Sequence, residues 1–225
     1  MAESINGPRI EAKSGNPKQL VVLLHGYGAD GNDLIEIGRQ WRTFLSDAAF
    51  VAPHAPELCA ASPAGRQWFP LTMRDPGERW RGAIKARPII DSFLDAELAR
   101  LGLDESRLAL VGFSQGTMMA LHVGLRRKHA PAAILGYSGV LVGPDRLSEA
   151  AARDAAGRPP PILLVHGDQD QLIPFEAMFD SAEELAKAGI PCQWHLSAGI
   201  GHGIDNTGLV YGGLFIAKCF GVRAG

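Results

Sequence analysis

Three cysteines in 225 residues, Cys59, Cys192 and Cys219, are an odd number without paired spacing. They exclude a disulfide framework and a zinc-ligand set, and are expected as buried thiols in a reducing, cytoplasmic setting. No apolar run approaches the roughly 20 residues that cross a bilayer, so stable membrane insertion is not expected. The opening Met-Ala-Glu-Ser has neither a basic start nor an apolar stretch, and no signal peptide is expected. Charge of one sign is lacking too: the net value is −2, which gives no field for nucleic acid. The early glycines Gly26, Gly28 and Gly31 have no Gly-Lys-Ser/Thr or complete Gly-x-Gly-x-x-Gly around them, so no nucleotide cofactor is expected. Asp30, Asp33 and Glu36 read as an acidic helix start, and no metal is expected.

What the chain has is a 46% hydrophobic composition with 20% charged residues, ordinary for a globular protein. Its length suits one domain over 1–225, with 1–18 as an N-terminal edge segment. Short apolar runs at 20–24, 48–52, 108–113, 132–137, 162–165 and 192–196 lack polar alternation. Such runs predict strands covered on both faces, as in a parallel sheet. Helical stretches are expected between them, near 32–45, 84–101, 115–128, 175–188 and 209–220. In the second, Ile90, Leu94, Leu98 and Leu101 form a stripe that Gly102 stops, and Pro88 either begins the helix or kinks it. Residues 7–11 add an antiparallel edge strand. Together these predict an α/β fold, a mostly parallel doubly wound sheet with helices on both faces. Two longer stretches, 53–81 and 138–161, read as irregular. In such a sheet the loops at strand carboxyl ends surround the ligand crevice.

One of those ends carries the strongest signal. The run Leu108-Ala-Leu-Val enters Gly112-Phe113-Ser114-Gln115-Gly116 and leaves as the apolar Thr-Met-Met-Ala-Leu121. A Gly-x-Ser-x-Gly turn between strand and helix lifts a serine hydroxyl above the sheet edge, and the helix start offers N–H groups to an oxyanion. The pattern by itself is weak; the strand-to-helix setting raises it above a serine that merely caps a helix. A serine nucleophile needs a base, and the base an orienting acid. Asp168 and Asp170 follow the run ending in His166, and His202 stands on the glycine-rich turn Gly199-Ile-Gly-His-Gly203. Serine, acid, histidine is the chain order of α/β-hydrolases.

From about Leu20 onward the sequence resembles the phospholipase/carboxylesterase family of α/β-hydrolases, which also contains the acyl-protein thioesterases. The matching stretches are His25-Gly-Tyr-Gly28, Pro53-His-Ala-Pro56, Trp68-Phe69, Gly112-Phe-Ser-Gln-Gly116, His166-Gly-Asp-Gln-Asp170 with Pro174, and Gly201-His202. The resemblance implies an α/β-hydrolase fold, with Ser114 as nucleophile, His202 as base and Asp170 as its orienting acid. It also implies the backbone N–H groups of Tyr27 and Gln115 as oxyanion donors. The aromatic-rich stretch with Trp68, Phe69, Leu71 and Met73 is the expected wall of the substrate pocket. Asp168 is expected to tie down its own turn, and His25 and His166 to make structural hydrogen bonds. His122, His129 and His195 are expected in the core or on the surface.

Arg74, Arg79, Arg81, Lys85 and Arg87 around Trp80 read as a solvated helix face, and Arg126-Arg127-Lys128 as cations complementing a helix C-terminus. The expected activity is a serine carboxylesterase for small-molecule esters, with an acyl-protein thioesterase or lysophospholipase as alternatives. A non-catalytic ligand-binding protein on a hydrolase scaffold is the alternative of another class. The oligomeric state, a homodimer included, is left open.

Overall fold

A computed structural model describes residues 5–72, 75 and 77–222. In chain order the elements are β1 (Arg9–Ile10), β2 (Gln19–Leu24), α1 (Gly31–Trp41), β3 (Ala48–Val51), β4 (Glu57–Leu58) and β5 (Arg66–Gln67). They continue with α2 (Glu78–Leu101), β6 (Leu108–Phe113), α3 (Gln115–Gly124), β7 (Ala133–Tyr137), β8 (Ile162–Gly167), α4 (Glu176–Lys187), β9 (Cys192–Ser197) and α5 (Asn206–Cys219). The main sheet runs β1-β3-β2-β6-β7-β8-β9, and only β1 is antiparallel. The mostly parallel sheet and its edge strand match the sequence reading.

The apolar strands β2, β3, β6, β7 and β8 are covered twice, as their lack of alternation requires, but the expectation fails for β9, an edge strand whose residues before Ser197 are half-buried or exposed. In β2, Leu20, Val22 and Leu24 join the core that includes Ile90 and Leu94 of α2 and Met119 of α3. Val21 and Leu23 point the other way, into the core with Leu34 and Trp41 of α1 and Ile216 of α5. Every residue of α3 is buried, so the helix that follows Ser114 sits inside the molecule and cannot shift as a surface helix could.

The chain adds β3 on one side of β2 and later β6 on the other. The carboxyl ends of β2 and β6 therefore flank the point where the winding reverses, the usual place for a ligand crevice. Tyr27 follows the first end and Ser114 the second.

Two expectations change in detail. Residues 53–81 are not wholly irregular: β4 and β5 pair as a small ribbon, and α2 already begins at Glu78. Pro88 consequently lies inside α2. It deprives the Ile84 carbonyl of its helical donor where Ile84 is 47% exposed and water can substitute. Gly102, at φ +65°, does close α2, in the left-handed conformation that favours glycine. Among the described residues no helix is long and apolar enough to cross a membrane.

Candidate active site

The β6–α3 junction is a forced turn. Ser114 sits at φ +52°, ψ −114°, a conformation that a side-chain-bearing residue adopts only under constraint. The constraint is visible on both sides. Its N–H donates to Tyr137 O at 2.9 Å and its carbonyl accepts from Thr117 N–H at 3.0 Å. The flanking glycines are steric requirements. A Cβ on Gly112 would lie 2.3 Å from the Gly116 carbonyl carbon, and one on Gly116 would lie 1.8 Å from Leu24 O. Strand β6 and helix α3 thus pack backbone to backbone around the serine.

Gln115, fully buried, does more than supply an amide. Its Oε1 accepts from Trp68 N–H at 2.9 Å and its Nε2 donates to Phe69 O at 2.7 Å. The residue after Ser114 thereby clips the 68–69 segment to the start of α3. Trp68 Nε1 donates to His25 O at 2.9 Å, and the His25 ring accepts from Ala55 N–H at 3.0 Å while its Nδ1 lies 2.8 Å from Gly26 O. These partners make Nδ1 the donor and keep His25 neutral; burial lowers its pKa, partly opposed by the Gly26 carbonyl. His25 is structural, as expected. Trp68 and Phe69 lie in the core at 2% and 1% exposure, not on an open pocket face. Leu71 is partly buried against the same core, and Met73 lies outside the described residues, as does Arg74.

The acid and histidine loops meet across the ends of β8 and β9. His202 Nδ1 lies 2.7 Å from Asp170 Oδ2. A carboxylate only accepts, so Nδ1 carries the proton and Nε2 is left with its lone pair. The Asp170 side chain is sealed from solvent and that of His202 is 16% exposed, so only the imidazole has an open face. Burial pushes the Asp170 carboxyl up, but Ile173 N–H, His202 and Leu172 N–H outweigh it and hold the pKa below the ordinary range. Asp168 accepts from Gly199 N–H at 2.7 Å, tying the acid loop to the histidine loop. Gln169 N–H to Ile200 O at 2.8 Å adds a second tie.

A third tie comes from Ser138 after β7, the other non-glycine residue at positive φ among the described residues. Its hydroxyl donates to Gly203 O at 3.2 Å, next to His202. On the nucleophile side the Phe113 ring stands 5.0 Å from the His202 ring, so the residue before Ser114 touches the imidazole. Among the described residues no hydrogen bond joins His202 to Ser114; such bonds are often long without substrate and tighten on binding. The N–H groups of Tyr27, in the turn after β2, and of Gln115, the first residue of α3, donate to no protein acceptor among the described residues.

Three other histidines lie elsewhere. His122 is buried in α3, His195 stacks on Tyr211 at 4.5 Å, and His129 is exposed. The basic face of α2 is largely paired, Arg81 with Asp75, Lys85 with Glu57 and Arg87 with Asp91. One reading is corrected. Arg126 and Arg127 are not the last turn of the helix that follows Ser114; α3 stops at Gly124 and both side chains are buried. Arg127 reaches Asp91, Asp95 and Glu105 at 3.2, 2.7 and 3.1 Å. Among the described residues no group of three metal-type side chains comes together.

Comparison with known proteins agrees in length as well as motif. A family model described as phospholipase/carboxylesterase matches residues 5–220. The chain is 30% identical to acyl-protein thioesterase 1 of Schizosaccharomyces pombe, over 73% of this chain and 74% of that protein. It is 26% identical to the Escherichia coli esterase YpfH, over 86% and 80%. The crystal structure of esterase PE8 superposes with a TM-score of 0.91 at 42% identity, covering 96% of this chain and all of that one.

Proposed function

The chain belongs to the phospholipase/carboxylesterase family of α/β-hydrolases, and on that premise we propose that it is a serine carboxylesterase working through an acyl-enzyme. Ser114 Oγ attacks the ester carbonyl as His202 Nε2 takes its proton. The tetrahedral oxyanion is held by the Tyr27 and Gln115 amides, where preorganised donors act without reorganising during the reaction. His202 then gives the proton to the departing alcohol, the ester C–O bond breaks, and Ser114 carries the acyl group. Water, deprotonated by His202, attacks the acyl-serine and releases the acid. Asp170 stays ionised and keeps the imidazole in its Nδ1–H form throughout.

The observation that carries this reading is the 2.7 Å Asp170–His202 contact, on loops stitched to the Ser114 turn. Leu71 is our candidate for the acyl-facing wall, with Trp68 and Phe69 packed behind it. The reading treats 1–225 as one domain, supported by the family match over 5–220. Three unbridged thiols support a cytoplasmic setting.

Fluorogenic esters of increasing acyl length, assayed beside a palmitoyl thioester, test the substrate assignment. Short oxygen esters are expected to give the highest kcat/KM. Preference for the palmitoyl thioester would move the enzyme to the acyl-protein thioesterases. Failure to hydrolyse any, together with no labelling by a serine-directed phosphonate, would leave a ligand-binding scaffold.

A further inference from the structure

Two segments far apart in the chain carry the amides assigned to the oxyanion, and one side chain links them. Tyr27 N–H belongs to the peptide whose carbonyl is Gly26 O. A trans peptide is planar, with its N–H and C=O pointing opposite ways, so a grip on Gly26 O aims the Tyr27 N–H. That grip is the His25 ring, whose Nδ1–H donates to Gly26 O at 2.8 Å while its Nε2 accepts from Ala55 N–H at 3.0 Å. Ala29 N–H reaches the same Gly26 oxygen at 3.3 Å. The His25 carbonyl in turn accepts from the Trp68 indole N–H at 2.9 Å, and the two rings lie 5.4 Å apart. At its own backbone Trp68 donates to Gln115 Oε1 at 2.9 Å, and Gln115 carries the second amide. A return bond of 2.7 Å from Gln115 Nε2 to Phe69 O closes the clip. The same segment is bolted to the Tyr27 turn two residues earlier. There Arg66 O accepts from Gly28 N–H at 2.9 Å, and Arg66 N–H donates to Ala29 O at 2.8 Å.

We propose that Trp68 is a positioning residue for the reaction assigned above, the spacer that holds the Tyr27 and Gln115 amides at one separation and one aim. The inference rests on the Ser114 acyl-enzyme reading. Every link is buried: His25 and Gln115 are fully enclosed and Trp68 is 2% exposed, so no bulk water stands ready to replace a lost bond. The polar links set Trp68 apart from Phe69, whose ring packs on α2 so closely that a Cβ on Gly82 would lie 2.4 Å from it. Oxyanion donors act by standing in place before charge develops, and a donor that must be re-aimed in each turnover loses that advantage. Removing the indole N–H leaves His25 O unpaired and frees the Tyr27 turn to drift against α3, which is buried along its whole length and stays still.

Hydrolysis of p-nitrophenyl acetate, and inhibition by an aryl trifluoromethyl ketone whose adduct with Ser114 is itself an oxyanion, test this in Trp68→Phe and Ser114→Ala. Acylation and deacylation both pass through an oxyanion. In W68F kcat is therefore expected to fall about tenfold with KM within about twofold, a fraction of the roughly 10²- to 10³-fold that deleting a donor costs. The inhibition constant of the ketone should rise by the factor by which kcat/KM falls. The acid limb of kcat/KM, which reports His202, should stay in place, because the Asp170–His202 contact lies on other loops. A folded W68F with unchanged kcat and ketone affinity would overturn the proposal. So would a lower kcat with ketone affinity retained, or with a displaced acid limb, the mark of a general loosening. Should W68F not fold, β-(3-benzothienyl)alanine at position 68 decides, since it keeps the bicyclic shape and lacks only the N–H. The same joint loss is expected there, and wild-type kcat and ketone affinity would overturn the proposal. Turnover retained in S114A would instead sink the esterase reading itself.

Discussion

The two ends of α3 hold buried charge for opposite purposes. Its N-terminus follows Ser114 at the carboxyl edge of the sheet, where Asp170 faces two imidazoles. Just past its C-terminus, at the opposite edge, Arg127 faces Asp91, Asp95 and Glu105. Both clusters satisfy a sealed charge with several partners, as burial demands. They differ in where a proton can go. Burial works against the Arg127 charge but Asp95 and Asp91 outweigh it, so the guanidinium stays protonated under all working conditions. At the other end the partners are histidines, a side-chain type that serves as general acid and base. One cluster fastens α3 to α2 and to the entry of β6; the other, on the function proposed above, passes a proton.

The comparison is broken most sharply by exchanging a single atom type at the carboxyl edge. Asp170→Asn leaves the shape but mis-sets the imidazole tautomer, and kcat/KM is expected to fall on the order of 10⁴-fold. Near-normal turnover would reassign the acid, with Asp168 next in line. At the other edge, Arg127→Met strands three carboxylates. Urea unfolding should show a loss of about 2–3 kcal/mol, near the low end for a broken buried pair because Asp95 faces solvent. Its kcat/KM per folded molecule should stay within about twofold. A large loss of activity without a loss of stability would mean that the two ends are not separate devices.

The last effect is confined to acid pH and concerns His122, within α3 itself. Burial first, then the charges of Arg126 and Arg87, lower its pKa from 6.5 to about 3. Between those values the unfolded chain binds a proton that the fold refuses, so stability falls as pH drops through that window. Replacing it by Gln should flatten the stability-against-pH slope by about 1.4 kcal/mol per pH unit there. An unaltered slope between pH 6 and 4 would show that His122 takes up its proton in the folded state.

Legibility in the sequence followed the range of each interaction. The β6–Ser114–α3 cassette is local: six strand residues, a turn and a helix, with Gly112 and Gly116 needed by contacts that neighbouring segments dictate. The order of serine, acid and histidine was equally open to reading, because each sits just after an apolar strand. The fate of Arg127 was not, since its partners lie 22 to 36 positions away on α2 and before β6. The ribbon of β4 and β5 escaped because two-residue strands are too short to show alternation. His166 was taken as structural, and the hydrogen bond to Ile173 O agrees. Its approach to Asp170 depends on how tightly a turn closes, which residue spacing does not encode. Gln115 was singled out for its backbone, while its side chain clips the 68–69 segment, a contact 46 or 47 positions distant.

The most direct measurement is mass spectrometry of enzyme acid-quenched during turnover of p-nitrophenyl acetate. The account predicts an acetyl group on the peptide containing Ser114, absent in Ser114→Ala. Turnover with an unmodified Ser114 at every time sampled, or an acetyl group carried on another residue in kinetic competence, would contradict it.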